Sequence, residues 1–253
     1  MAAADRALVF MAKWPEPGRV KTRLCPALTA EEAAGLARAF LLDTLAEAEE
    51  SGFDYWLAFS PNSAAGRFRD LVGPHIGLIA ADMPDFGAAL LHAQRSALKL
   101  GYREVALVAS DVPHLRKTRY LEAFTALASA DVAIGPCGDG GYYLLATNRE
   151  TPGLFRAVSW STAAVYCQTL ERARECGLRV VSLDICDDVD TAADLKPLLL
   201  TLTHHPGAGH SLERLRRLNP AAWGGTYTPA RTGPATLDDG RYSGLRLNQR
   251  MAF

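Results

Sequence analysis

The sequence predicts an α/β fold, a three-layer α/β/α sandwich with a mainly parallel sheet. Short apolar runs alternate with helical stretches as far as about Leu202. The runs are β-branched and nearly continuous, as strands covered on both faces must be. The residues with most chemical capacity lie just after those runs, where open parallel sheets hold their ligands.

Each element follows in chain order. "ALVFMA" reads as the first strand and Ala30–Glu50, rich in Ala, Leu and Glu, as the first helix. "YWLAF" is a strand followed by a helix over Ala64–Val72. "IGLIAA" precedes the helical "FGAALLHAQRSALKLG", which Gly101 stops. "EVALVA" leads to the helix "KTRYLEAFTALAS", and "DVAIG" and "YYLLAT" are further strands. "SWSTAAVYCQTLERAREC" reads as a helix ending at Gly177, with Ser159, Ser161 or Thr162 as its cap, and "RVVSLD" as a last strand. Residues 1–202 thus form one domain. Residues 203–253 are rich in Gly, Pro, Thr and Arg, and only "SLERLRRL" has helical character. This appendage is expected to bury Trp223 and Tyr227 against the body or a second subunit, giving a possible homo-oligomer.

Bulk properties exclude several classes. The chain has 253 residues, 49% hydrophobic and 22% charged, with a formal net charge of -1. That charge gives no general attraction to nucleic acid or to an anionic membrane. No stretch approaches the roughly 20 apolar residues of a membrane helix, and no secretory signal opens the sequence, so a cytoplasmic location is expected. Cys25, Cys137, Cys167, Cys176 and Cys186 are odd in number and show no CxxC spacing, which predicts reduced thiols. HxxxH, HExxH and GxSxG are absent, against zinc hydrolases and serine hydrolases.

Four stretches carry the chemistry. "KWPEPGRVKTR" concentrates Lys13, Arg19, Lys21 and Arg23 in one loop, with Gly18 giving the backbone room and two prolines narrowing its freedom. Such a loop can neutralise a di- or triphosphate, though a solvated basic loop has the same composition. It is neither a Walker A loop nor GxGxxG. In "ASDVPHL", Asp111 suits a hard divalent ion held against a pyrophosphate, or caps the helix that begins near Lys117, as Ser110 also could. In "GPCGDGGYY", Asp139 stands among glycines that permit close backbone approach or a simple turn, and at most one of Tyr142 and Tyr143 faces a ligand. In "DDVDTAADL", Asp187, Asp188 and Asp190 crowd a strand end, and Asp190 can cap the following helix. A shared cation with Asp111 accounts for that crowding better than a cap alone.

These motifs, with "VSWST", together resemble a bacterial family long of unknown function. It is variously described as radical-SAM-associated transferases, arsenosugar-biosynthesis-type glycosyltransferases, or nucleotide-diphospho-sugar transferases of the GT-A-like superfamily. That superfamily also includes phospholactate guanylyltransferases and molybdenum-cofactor nucleotidyltransferases. The resemblance covers about Arg6 to Leu199. It implies a phosphate loop of Lys13, Gly18, Arg19, Lys21 and Arg23, with Asp85 and Gly87 of a "DxG" element also on the nucleotide side. It implies a Mg²⁺ or Mn²⁺ ion on Asp111 and Asp190, and catalytic roles for Asp111, Lys21 and Asp139. It further implies a donor or acceptor loop of Gly138, Asp139, Gly140, Gly141, Tyr142, Trp160, Ser161 and Thr162. The implied substrates are a nucleotide or nucleotide-sugar and a small-molecule acceptor. Glycosyl transfer ranks first, nucleotidyl transfer with pyrophosphate release second, and nucleotide binding without turnover third. Two departures stand out: Ala109 replaces the family's usual Gly before "SDxP", and the usual Gln is missing from "ADMPDFG".

Overall fold

The computed structural model describes residues 5–204 and 207–219. Trp223 and Tyr227 of the appendage lie outside them. Seven strands form one sheet: β1 Arg6–Lys13, β2 Asp54–Ser60, β3 Gly77–Ala80, β4 Glu104–Ala109, β5 Val132–Pro136, β6 Tyr142–Thr147 and β7 Val180–Ser182. Their spatial order is β3-β2-β1-β4-β6-β5-β7. All neighbours are parallel except that β6 runs antiparallel to both β4 and β5. The chain moves outward from β1 through β2 to β3, then returns to β4 on the other side of β1. The carboxyl ends of β1 and β4 therefore flank the topological switch point, where the two adjoining loops diverge and leave a crevice.

Seven helices accompany the strands: α1 Ala30–Ser51, α2 Ala65–Val72, α3 Phe86–Lys99, α4 Lys117–Ala126, α5 Val165–Glu175, α6 Ala192–Thr203 and α7 Gly209–Arg217. Alternation along β1 divides the core. Leu8, Phe10 and Ala12 face Leu41 and Leu45 of α1, Phe68 of α2 and Phe124 of α4. Val9 faces Leu90 and Ala93 of α3 and the layer that includes Ala173 of α5. The predicted helix stops hold: Gly101 and Gly177 take the left-handed φ of 103° and 65° that ends a helix cheaply only at glycine.

Helix α1 is covered on its outer side as well. Leu36 and Phe40 pack with Leu195 and Leu199 of α6 and Leu215 of α7. Its start is a capping box, Thr29 with Glu32. Its buried carboxylates cap other helices. Asp43 accepts the backbone N–H groups of His210 and Ser211 at 3.0 and 2.7 Å, at the start of α7. Glu47, one turn on, accepts that of Lys117 at 2.7 Å, at the start of α4. Carboxylates belong there, because unpaired N–H groups and the helix dipole favour negative charge.

These contacts correct three expectations. Neither Ser110 nor Asp111 caps α4: Glu47 does, while the Ser110 hydroxyl donates to the Met11 carbonyl at 2.8 Å. Thr191, rather than Asp190, is the N-cap of α6. Helix α5 starts at Val165, and the preceding "SWSTAA" is a turn with no side-chain cap on the helix, because Ser161 has a φ of 62° that a helix cannot contain.

Asp43 is the sharpest test of this packing, being 1% exposed with two backbone partners. Asp43→Ala is expected to lower the unfolding free energy by about 2 kcal/mol in urea denaturation, and Asp43→Asn by less, because the amide oxygen still accepts one bond.

Candidate functional site

A cavity of about 850 Å³ opens over the carboxyl ends of β1, β2 and β4. Its walls come from the residues after β1, from Asp111, from the β5–β6 turn, from the turn before α5, and from Asp188 and Asp190.

The loop after β1 closes down on this cavity through one side chain. Lys21 Nζ donates to Asp111 Oδ2 at 2.8 Å and to Asp190 Oδ1 at 2.7 Å, with 9% of the side chain exposed. Arg23 Nη1 takes the other oxygen of Asp190 at 3.0 Å. Burial alone would lower the Lys21 ammonium's pKa. The charges and hydrogen bonds of Asp111 and Asp190 outweigh it and hold the pKa above the ordinary lysine value. The Lys21 backbone is left-handed, φ 47° and ψ 39°, a conformation that costs a non-glycine residue roughly 1 kcal/mol. The other two cations are freer: Lys13 is exposed at the end of β1, and Arg19 makes a 3.5 Å contact with Glu16.

Carboxylates converge opposite this loop. One oxygen each from Asp111, Asp188 and Asp190 fall within 4.8 Å of one another. Three hard oxygen donors so placed fit a divalent ion such as Mg²⁺ or Mn²⁺. Burial, then the negative charges of Asp111 and Asp190, push the Asp188 carboxyl up to about 7. A second group, Cys137, Asp139 and Asp188, is equally close. It fits a metal poorly, because burial and the neighbouring carboxylates push the Cys137 thiol far above its usual range, and a thiol must ionise to ligate.

The β5–β6 turn presents Asp139. Its Oδ1 accepts from the Gly141 N–H at 2.8 Å. Gly140, at φ 90°, admits no side chain: a Cβ would lie 2.1 Å from the Ala163 carbonyl oxygen. Gly140 also accepts from the Tyr166 N–H at 2.8 Å, fixing the turn to the start of α5. Beyond it, Trp160 meets Phe86 edge to face with centroids 5.3 Å apart.

The cavity thus gathers Lys13, Arg19, Lys21, Arg23, Asp111, Asp139, Gly141, Tyr142, Trp160, Ser161, Thr162 and Asp190. Five expected residues are not among those that line it. Gly18 shapes the turn in which Arg19 N–H bonds the Glu16 carbonyl. Asp85 is the N-cap of α3, accepting from Ala88 N–H at 2.8 Å. Gly87 makes room for Trp160, whose Nε1 would lie 2.7 Å from a Cβ there. Gly138 donates its N–H to Asp187 at 2.7 Å, and Gly140 is the hinge just described. The lining residues that had no assigned role in the sequence include Asp188 and Phe86. Period-two alternation in "DDVD" could have found Asp188, since it puts Asp188 and Asp190 on one side and Asp187 on the other.

A candidate nucleotide-diphospho-sugar transferase from Desulfovibrio desulfuricans G20 is 33% identical, with a TM-score of 0.80 over 87% of this chain and 97% of that one. The 2-phospho-L-lactate guanylyltransferase of Methanothermobacter thermautotrophicus is 28% identical over 204 residues, 78% of this chain and 85% of that protein. CMP:2-keto-3-deoxy-manno-octonic acid synthetase, solved with CTP, shares the fold at 14% identity, with a TM-score of 0.50 over 79% of this chain and 99% of that one. The fold is therefore the mixed α/β fold that these nucleotide-diphospho-sugar transferase and nucleotidyltransferase structures share. The family described as "Uncharacterized protein conserved in bacteria (DUF2064)" matches residues 42–162, which hold Asp111, Asp139 and Trp160. With that match and a relative one-third identical along nearly its whole length, the chain belongs to this DUF2064 family of bacterial proteins.

Proposed function

We propose that this protein is a metal-dependent glycosyltransferase that takes its sugar from a nucleoside diphosphate. A nucleotide-using transferase is the reading common to the relatives. The finer assignment rests on one observation: among the described residues, the cations lining the cavity are Lys13 at the end of β1 and Arg19, Lys21 and Arg23 of the loop that follows it. The opposite wall offers Asp139, Tyr142, Trp160, Ser161 and Thr162, which include no positive charge. An anionic diphosphate suits the first wall and a neutral, hydroxyl-bearing acceptor the second.

In this reading Met11, Ala58, Phe59 and Ala81 form the apolar shelf for the base. Lys21 and Arg23, with Lys13 and Arg19, neutralise charge that develops on the departing diphosphate. Asp111, Asp188 and Asp190 would hold the divalent ion, which when bound would supply further positive charge to the diphosphate. Asp139, whose Oδ1 is fixed by Gly141 N–H, takes the acceptor's proton as the acceptor oxygen bonds the sugar C1. The C1–oxygen bond to the diphosphate breaks, and the electron pair leaves with the nucleoside diphosphate. The radical-SAM-associated and arsenosugar-type descriptions rest on the family resemblance alone. The guanylyltransferase relative favours a second reading, in which a phosphorylated acceptor attacks an NTP and pyrophosphate leaves. We also propose residues 1–202 as the catalytic unit and 203–253 as an appendage.

The products decide between these readings. Purified protein with Mn²⁺ and a panel of sugar nucleotides and acceptors is expected to release nucleoside diphosphate. Release of pyrophosphate from an NTP plus a phosphorylated acceptor would establish the second reading instead. Asp111→Asn is expected to lower turnover by roughly 100-fold or more and to lower the unfolding free energy by about 1–3 kcal/mol, because the buried Lys21 ammonium keeps only Asp190 as a charged partner.

Asp188 adds a pH signature. Its folded pKa of about 7 lies above the ordinary carboxylate value. Between pH 4 and pH 7 the unfolded chain therefore binds fewer protons, and metal-free stability falls as pH rises, then levels. Asp188→Asn is expected to flatten that decline by on the order of 1 kcal/mol after solvent screening. Mn²⁺ affinity has the opposite trend, rising toward pH 7 as Asp188 ionises, and titration calorimetry at several pH values measures it.

A further inference from the structure

We infer that Lys21 and Arg23, paired to both oxygens of Asp190, hold a divalent ion off it, so that the ion binds its full carboxylate set tightly only when an incoming phosphate draws these cations away. This deepens the reading above and rests on its metal site. Both Asp190 oxygens are occupied, Oδ1 by Lys21 at 2.7 Å and Oδ2 by Arg23 at 3.0 Å. Lys21 also holds Asp111 Oδ2 at 2.8 Å. A metal ion and an ammonium group cannot occupy the same lone-pair direction, and their like charges repel at short range. Each Asp190 oxygen keeps a second lone pair, so what opposes an ion there is the repulsion of Lys21 and Arg23 held against both oxygens.

The same side chains are the natural partners of a diphosphate. They lie on the one basic loop of the cavity, and a phosphate offers each of them a fully charged acceptor. Transfer of Lys21 from Asp190 to phosphate exchanges one charged hydrogen bond for another. It also frees a residue held at φ 47° to leave the left-handed region. The two ligands are then coupled: nucleotide opens the metal site, and metal in turn favours the conformation that receives nucleotide. Lys21 thus acts as a positioning residue for the metal, besides neutralising the leaving group.

Mn²⁺ alone, without nucleotide, tests this. Free Mn²⁺ is followed by electron paramagnetic resonance as it is titrated into wild-type protein, Lys21→Met and Arg23→Met, each first checked for a cooperative melt. Lys21→Met is expected to bind Mn²⁺ about tenfold or more tightly than wild type, and Arg23→Met several-fold. Arg23 is 64% exposed, so its variant decides the matter should Lys21→Met not fold. Affinity in the variants equal to or weaker than wild type overturns the lock and leaves the metal reading standing. Absence of Mn²⁺ binding in all three proteins overturns both.

Discussion

One buried ammonium group holds the functional end of this molecule together. Lys21 joins Asp111, 90 residues away, and Asp190, 169 residues away, across the switch point between β1 and β4. The loop is otherwise held at its two ends: Trp14 N–H bonds the Ser60 carbonyl and its ring meets Phe68 edge to face, and Leu24 is buried beside Leu36 and Phe40. Crowded carboxylates repel one another, and burial first, then the charges of Asp111 and Asp190, raise the Asp188 pKa to about 7. Lys21 offsets that repulsion and gives the basic loop a defined position. A loop with two prolines and a short turn at Thr22–Leu24 is stiff enough to keep the group in place.

The sandwich makes such an arrangement affordable. Asp43 and Glu47 on α1 fix the starts of α7 and α4. α1 is covered by the sheet on one side and by α6 and α7 on the other. The turns that meet above the sheet therefore project from rigid elements, and functional groups on loops gain their precision from that support. Asp190 lies two residues before α6, so packing of α6 on α1 sets the height at which Asp190 meets Lys21.

The architecture was legible because strands buried on both faces leave short β-branched runs, and helix stops such as Gly101 and Gly177 leave glycines. The placement of chemistry at strand ends was legible for the same reason. Local rules failed where partners came from afar. Asp111, Asp190 and Ser110 each looked able to cap the next helix, yet α4 takes its cap from Glu47, 70 residues earlier. Asp85 and Gly87 carried a ligand-like pattern and proved to be a helix cap and a clearance for Trp160. The lysine that bridges two carboxylates could be recognised as basic, but its burial depends on three loops meeting, which no local spacing encodes. Among the described residues no helix is long and apolar enough to cross a membrane, and the five cysteines are free thiols.

The central claim is that the Lys21, Asp111, Asp188 and Asp190 cluster receives a metal-bound diphosphate. Crystals grown with Mn²⁺ and a nucleoside diphosphate measure it most directly, through the anomalous signal of the ion. The account predicts a Mn²⁺ peak bonded to Asp111, Asp188 and Asp190, with Lys21 moved onto a phosphate oxygen and the base over Ala58 and Phe59. A nucleotide bound away from the loop after β1, or a Mn²⁺ peak with Lys21 still seated between Asp111 and Asp190, would contradict it.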